Sequence, residues 1–180
     1  MIGTDTGTLE RVLAERQLRA RDEAKAGVRL QDVLEQLILT AEIASGGGMI
    51  ASILLVDETG RHLLHGAAPN LPGAYCAAID GIAVGQGVGS CGTAAFLGHP
   101  VYVTDIERDA LWADFRDLAL RHSLRACWST PILDGDRVIG TFAVYHHTPR
   151  SPTTAELNAI AVISDAVRVA ILDHREHGLG

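Results

Sequence analysis

The sequence is poor in the features that most readily announce a function. Only 4% of its 180 residues are aromatic, and its three cysteines, Cys76, Cys91 and Cys127, form an odd set without a C-x-x-C pair. That pattern argues against a disulfide framework and a structural zinc site and fits reduced thiols in a cytosol. Excess positive charge is missing as well. The net charge is −7, and the arginines are scattered among carboxylates, so there is no basic stripe to follow a phosphate backbone. Long apolar runs are also lacking. The longest, Met49 to Val56 with Ser52 inside it, falls far short of the ~20 residues a bilayer crossing needs. Met1 to Thr8 has no basic flank leading into an apolar segment, as a secretory signal would require. The expectation is a cytoplasmic protein with neither nucleic acid nor membrane among its partners.

What is present describes a folded domain. Apolar residues make up 47% of the chain and 19 residues are glycine; a chain of this size can bury roughly 70% of its unfolded surface. Residues 8 to 25 carry Leu9, Val12, Leu13 and Leu18 at helical spacing among charges, a solvated helix with a thin apolar stripe. A second helix, Leu30 to Ala44, has a broader apolar face, and Gly46-Gly47-Gly48 stops it. Met49 to Val56 and His62 to Gly66, joined by Asp57-Glu58-Thr59-Gly60, read as a hairpin. A helical stretch from Pro72 to Asp80 follows, then the glycine-rich run Gly85 to Gly92 leading into a helix over Thr93 to Leu97. Val101 to Ile106 reads as a strand and Ala110 to His122 as a helix. Arg125 to Leu133 and Arg137 to His146 form a second hairpin around Asp134-Gly135-Asp136.

The last helix, Thr153 to His174, opens with the capping box Thr153-x-x-Glu156 and is apolar around much of its circumference. One face would pack on the sheet and another on a partner helix, so a homodimer through the terminal helices is expected. The fold class is α+β: an antiparallel sheet with N- and C-terminal helices on one face and short helices with loops on the other.

Several segments in order carry a resemblance: Ser52 to Asp57, His65 to Pro69, Gly87-Val-Gly-Ser-Cys-Gly-Thr-Ala-Ala-Phe-Leu-Gly, Asp105-Ile, Leu111-Trp, Leu124 to Ile132 and Gly140-Thr-Phe-Ala. Together they resemble a GAF domain, of the subgroup fused to bacterial histidine kinases and cyclic-di-GMP enzymes. The resemblance implies a six-stranded antiparallel sheet with a small-molecule pocket between the sheet and the loops over its distal face. It divides the chain into an N-terminal extension and helix over residues 1–27, a possible dimer contact, a GAF-like domain over 28–174 and a tail over 175–180. Only six residues follow His174, so the signal is expected to pass to a separate protein.

Candidate site residues cluster around the glycine run. Glycines there either permit positive φ in a tight loop or bring backbone N–H groups with Ser90, Cys91 and Thr93 to a ligand at a helix start. Cys91 is either a buried apolar thiol or a reactive one with its pKa lowered by the helix terminus. Cys127 and Trp128 alternate along a strand, so only one faces the pocket; Trp128 is expected to be that one. Trp112 and Tyr145 are expected as aromatic walls. Phe115 fits a wall or the core.

The resulting expectation is a non-catalytic sensor that binds a small molecule and signals through dimer helices. Two alternatives stand beside it. The chain is similar to free methionine-(R)-sulfoxide reductases, which would make Cys91 catalytic, although the cysteine-bearing loop of that family is unmatched. A haem-based gas sensor would use His65 and His146. No cofactor is required by the sequence. The receptor reading depends on an unfilled hollow over the sheet; a hollow filled by the protein's own side chains points to a scaffold.

Overall fold

The structure, a computed structural model, describes residues 6–46 and 48–177. Gly47, residues 1–5 of the expected extension and residues 178–180 of the expected tail lie outside the described residues.

Two helices lead the chain, α1 (Thr6–Lys25) and α2 (Leu30–Ala44), followed by the hairpin β1 (Ile50–Val56) and β2 (His62–Ala67). The Asp57 carboxylate organises the hairpin turn by accepting the N–H groups of Arg61 (3.0 Å) and His62 (3.3 Å) and the hydroxyl of Thr59 (2.9 Å). Burial pushes this carboxyl up. The bonds from His62, Thr59 and the two backbone N–H groups outweigh that effect and hold it well below the usual carboxylate range. Next come α3 (Gly73–Ile79), β3 (Ile82–Ala83), α4 (Gly89–Leu97) and β4 (Val101–Val103). A 3-10 turn over Ala110–Trp112 precedes α5 (Arg116–Arg121), β5 (Ala126–Asp134), β6 (Arg137–His146) and α6 (Thr154–Glu176). At the start of α6 the capping box is present with both halves formed, Thr153 and Glu156 each receiving the other's backbone N–H.

The six strands form one antiparallel sheet in the order β3-β2-β1-β6-β5-β4. Period-two alternation sends adjacent residues of each strand to two separate cores. On one face Ala51, Ile53, Trp128, Ile132, Phe142 and Val144 meet the terminal helices. On the other, Leu54, Leu63, Cys127, Ala143 and Tyr145 meet α3, α4 and the 3-10 turn. The buried Glu42 ties α2 to the sheet: it accepts the Ala51 N–H at 2.9 Å and the Asn70 side-chain amide.

Three parts of the sequence reading change. The thin stripe of α1 joins the core, with Leu9, Leu13 and Ala20 buried in the same cluster as α2 and α6, while Leu18 is 65% exposed. A helix carrying so few apolar residues is ordered here because α6 offers it an apolar face. That contact covers part of the apolar surface of α6 inside one chain. Arg21 Nε to Asp173 (3.0 Å), and the buried His174 ring, placed against the Val28 carbonyl at 3.1 Å, reinforce the contact.

The expected helix over residues 110–122 is broken. Asp109 caps Leu111 N–H (2.9 Å), the Arg116 guanidinium bonds the Asp109 carbonyl (3.1 Å), and the chain leaves helical geometry between Trp112 and Arg116. Finally, α4 starts at Gly89 instead of Thr93, so the end of the glycine run is the first turn of a helix.

Candidate functional site

On the side of the sheet away from the terminal helices, the first turn of α4 lies directly on β5 and β6. Small residues permit this approach: Gly89, Ser90, Cys91, Gly92, Thr93, Ala94 and Ala95 are all buried. Gly92 is required, because a Cβ there would fall 2.6 Å from Val88 Cβ and 2.8 Å from the Ala83 carbonyl oxygen. Gly89 has φ +56° and lies under the indole of Trp112, which a Cβ would meet at 3.7 Å.

Hydrogen bonds fix this turn. Ser90 Oγ donates to the Cys127 carbonyl (3.0 Å) and accepts from Trp112 Nε1 (3.0 Å). Thr93 Oγ1 donates to the Gly89 carbonyl (2.6 Å) and accepts the Gly87 N–H (3.2 Å). The glycine segment is thus a clasp held by Thr93, and Ser90 links strand, helix and the Trp112 turn.

Between α3, α4, the Trp112 turn and the sheet lies a chamber of about 20 Å³, whose walls include Leu54, Tyr75, Ser90, Cys91, Trp112 and Tyr145. This holds about one water molecule. The open hollow expected from the sequence is therefore nearly filled by the protein's own side chains. Tyr75 does much of the filling: it packs edge-on against Tyr145 (5.8 Å between centroids, 83°) and against His122 (5.9 Å, 72°).

The chemistry of this face centres on two thiols. Cys91, 5% exposed, and Cys127, fully buried, belong to the same core cluster between α4 and the sheet. The hydroxyl residues Ser129, Thr141 and Tyr145 share the sheet face of Cys127. The neighbouring Cys127, with these hydroxyls, lowers the Cys91 pKa against the opposing effect of burial. Position in the first turn of α4 acts in the same direction. Burial, together with the neighbouring Cys91 sulfur, pushes the Cys127 thiol up. Only one of the two can carry the negative charge, and the surroundings select Cys91. Tyr75 and Tyr145 are held neutral, chiefly by burial, and remain donors.

The expected orientation of Trp128 is reversed. Trp128 packs in the core beneath the terminal helices and donates to the Arg150 carbonyl (3.2 Å), with the Arg150 guanidinium 5.3 Å from its ring centroid. The large ring follows the aliphatic face, where space between sheet and helices accommodates it. Its small neighbour Cys127 fits the close approach of α4.

His146 shares the Trp128 side, 4.3 Å from that ring; burial, aided by the Arg150 charge, lowers its pKa to about 4. His65 lies elsewhere, in an open groove of about 900 Å³ between α2, the β1–β2 hairpin and α6, beside Asp80 and Arg175. Neither imidazole lines the chamber, so the pair considered for haem is not brought together there. Among the described residues no group of three or more His, Cys, Asp or Glu side chains is placed to hold a metal ion, and no helix is long and apolar enough to cross a membrane.

Ser90, Cys91, Trp112 and Tyr145 are brought together at the chamber, with Thr93 behind them in the clasp. Tyr75 was not singled out as a chamber residue by the sequence, nor were Ser129 and Thr141 as residues of the same sheet face. The signal for the two hydroxyl residues was the alternation Cys127-x-Ser129 and Thr141-x-Ala143-x-Tyr145, which places small and hydroxyl residues on one sheet face.

Comparison with known proteins agrees with this architecture. A sequence model of the GAF domain matches residues 28–172. The methyl sulfide methyltransferase-associated sensor of Methanosarcina acetivorans is 34% identical over 156 residues, 86% of this chain and 16% of the relative, so the chain corresponds to a small part of that protein. A domain of a two-component sensor histidine kinase protein from Sinorhizobium meliloti superposes with TM-score 0.66 at 22% identity, covering 80% of this chain and 91% of that one. Free methionine-R-sulfoxide reductase from Neisseria meningitidis, solved with its substrate, superposes with TM-score 0.69 at 18% identity, covering 96% and 93%.

Proposed function

The chain belongs to the GAF domain family, and from that premise we propose that it is a sensory domain. Its input lies at the chamber beneath α3, α4 and the Trp112 turn, and its output runs through the layer of α1, α2 and α6. The observation that carries this reading is the unlike construction of the two sheet faces. Thiols, hydroxyls and phenols are buried around a small chamber on one side. The other side is a mainly aliphatic helical layer, continuous from α1 to α6. The likeness to a sensor from Methanosarcina acetivorans and to a histidine kinase domain supports it.

The chamber is small because Tyr75 and Trp112 occupy it, and both stand on short elements with few other attachments. A small molecule that binds the open arrangement better than the closed one would shift the population by moving α3 and the Trp112 turn away from the sheet. Ser90, Cys91 and Tyr145 would then face the ligand. Strand β5 contacts α4 on one face and α6 on the other, so displacement at the chamber reaches the output layer in one step. The signal would then pass from α1 and α6 to a partner protein or domain.

The test is a thermal-shift screen of small metabolites against the full chain. A ligand at 100 times its dissociation constant adds about 2.7 kcal/mol, which for a domain of this length raises Tm by about 5–10 °C. The shift should fall in Tyr145→Phe and in Trp112→Phe, which alter the chamber while preserving most of its volume. A stabiliser that acts equally on both variants binds elsewhere and overturns the chamber assignment. A screen without any stabiliser favours the scaffold role.

A further inference from the structure

A second hollow, on the helical side of the sheet, has no part in the sensory reading above. It is the groove of about 900 Å³ between the start of α2, the β1–β2 hairpin and the last turns of α6, within the size range of small-molecule sites. From its chemistry we propose that it binds an organic carboxylate with an apolar body, such as a medium-chain fatty acid. Leu30, Leu55, Leu64 and Ile171 line it with aliphatic surface. Leu64 stands 44% exposed, so a hydrocarbon laid on this floor would remove apolar surface from water. Arg137, at the start of β6, and Arg175, in the last turn of α6, reach the same groove. Among the described residues neither guanidinium has an ion-pair partner, whereas Arg21 and Arg29 on the neighbouring helices are paired with Asp173 and Asp32.

Carboxylates border the groove as well, and their engagement decides which ligand charge it accepts. Asp57 is taken up by its own turn: it accepts from Thr59 and from the Arg61 and His62 N–H groups, and it meets the His62 ring at 3.0 Å. Asp80 accepts the His65 N–H at 2.7 Å. Glu58, exposed on the turn, is the lining carboxylate without such a partner among the described residues. Two unengaged guanidiniums thus stand against one unengaged carboxylate. A guanidinium presents paired N–H donors that match the two oxygens of a carboxylate, and an apolar floor beside them strengthens the contact by excluding water. The walls are held before any ligand arrives, which limits the ordering cost of binding. Gln31 Nε2 donates to the His65 carbonyl (3.4 Å) and ties α2 to β2. The His174 ring lies between the Ala170 and Val28 carbonyls (2.9 and 3.1 Å), and Arg21 Nε bonds Asp173 at 3.0 Å, so the turn of α6 that carries Arg175 is anchored. A ligand here touches α2 and α6 directly and would act on the output layer without crossing the sheet. That consequence rests on the sensory reading above; the binding itself stands without it.

The experiment titrates the full chain with sodium octanoate, read by calorimetry and by the methyl resonances of leucine and isoleucine. The expected result is saturable binding that moves the Leu64 and Ile171 methyls. Affinity should fall by about tenfold or more in Arg137→Gln and in Arg175→Gln. Both arginines are exposed, so these variants should keep the wild-type fold, and Leu64→Ser should weaken binding through the floor alone. Three other probes divide the contributions: acetate carries the charge without the body, octanamide the body without the charge, and octylammonium the body with the opposite charge. Each should bind at least about tenfold more weakly than octanoate. Absence of saturable octanoate binding, undiminished affinity in both arginine variants, or methyl shifts confined to other residues overturns the proposal. Octylammonium binding as tightly as octanoate overturns it too, because Glu58 and its neighbours would then set the sign. The sensory reading is judged separately. Octanoate should bind Tyr145→Phe and Trp112→Phe as it binds the wild type, and a metabolite that stabilises through the chamber should still stabilise Arg175→Gln. Loss of octanoate binding alone therefore removes the groove site and leaves the chamber, and loss of the chamber ligand alone does the reverse.

Discussion

The two faces of the sheet are built from the same strands, yet they solve different problems. Beneath the terminal helices, Val33, Leu34, Leu37, Ile38, Ile53, Ile163 and Val167 are fully or almost fully buried around Trp128 and Phe142, and bulk apolar packing dominates. Across the sheet, Cys91, Cys127, Ser129, Thr141, Tyr75 and Tyr145 bury polar atoms at a cost that aliphatic residues would not incur. Stability therefore concentrates on the helical face and chemistry on the other, and substitutions should separate the two.

The largest effect should come from Trp128→Ala, which removes the most voluminous of the fully buried side chains and should destabilise by about 3–5 kcal/mol in denaturant unfolding. A loss under ~1 kcal/mol would mean the helical face tolerates cavities and would erase the contrast. Next is Ser90→Ala on the opposite face. It leaves Trp112 Nε1 and the Cys127 carbonyl without their partner, at about 1–3 kcal/mol for each group left unsatisfied. It should also raise the hydrogen exchange of the Trp112 indole N–H, a change that substitutions in the helical layer should not produce.

A smaller effect follows from His146. Its folded pKa of about 4 lies below its ordinary 6.5, so the unfolded chain binds the proton first and stability falls as pH drops from 6.5 towards 4. Allowing for its partial solvation, the loss should be on the order of 1–2 kcal/mol. His146→Gln should flatten that part of the wild-type-minus-variant stability curve; an unchanged curve would show that the ring is solvated. The smallest expected effect is Thr141→Val. This replaces an orphaned buried hydroxyl with a methyl and should leave stability unchanged or slightly raised. Marked destabilisation would show that the hydroxyl already has a strong partner and that the chemical face is satisfied as it stands.

Much of the fold was legible in the chain. The hairpins were marked by Asp57 to Gly60 and by Asp134 to Asp136, and the capping box announced α6, because turn and cap chemistry depend on residues a few positions apart. Five of the six strands were visible; β3, two residues long, has no periodicity to detect. The chamber was legible only in part. Ser90, Cys91, Trp112 and Tyr145 were identified from a glycine run, a helix start and aromatic residues, and the structure gathers them. Trp128 was placed on the wrong face, since alternation fixes which residues share a side and leaves open which side that is.

The contrast between local and tertiary control marks what each level decided. The order of elements, the alternation within strands and the helix caps follow from short-range hydrogen bonding and periodicity, and the amino-acid sequence determined them by itself. Three features needed the assembled molecule: the docking of α1 on α6, the assignment of Cys127 and Trp128 to opposite cores, and the filling of the chamber by Tyr75. Each depends on which surfaces far apart in the chain find complementary volume, and close packing settles that only when all the layers are in place.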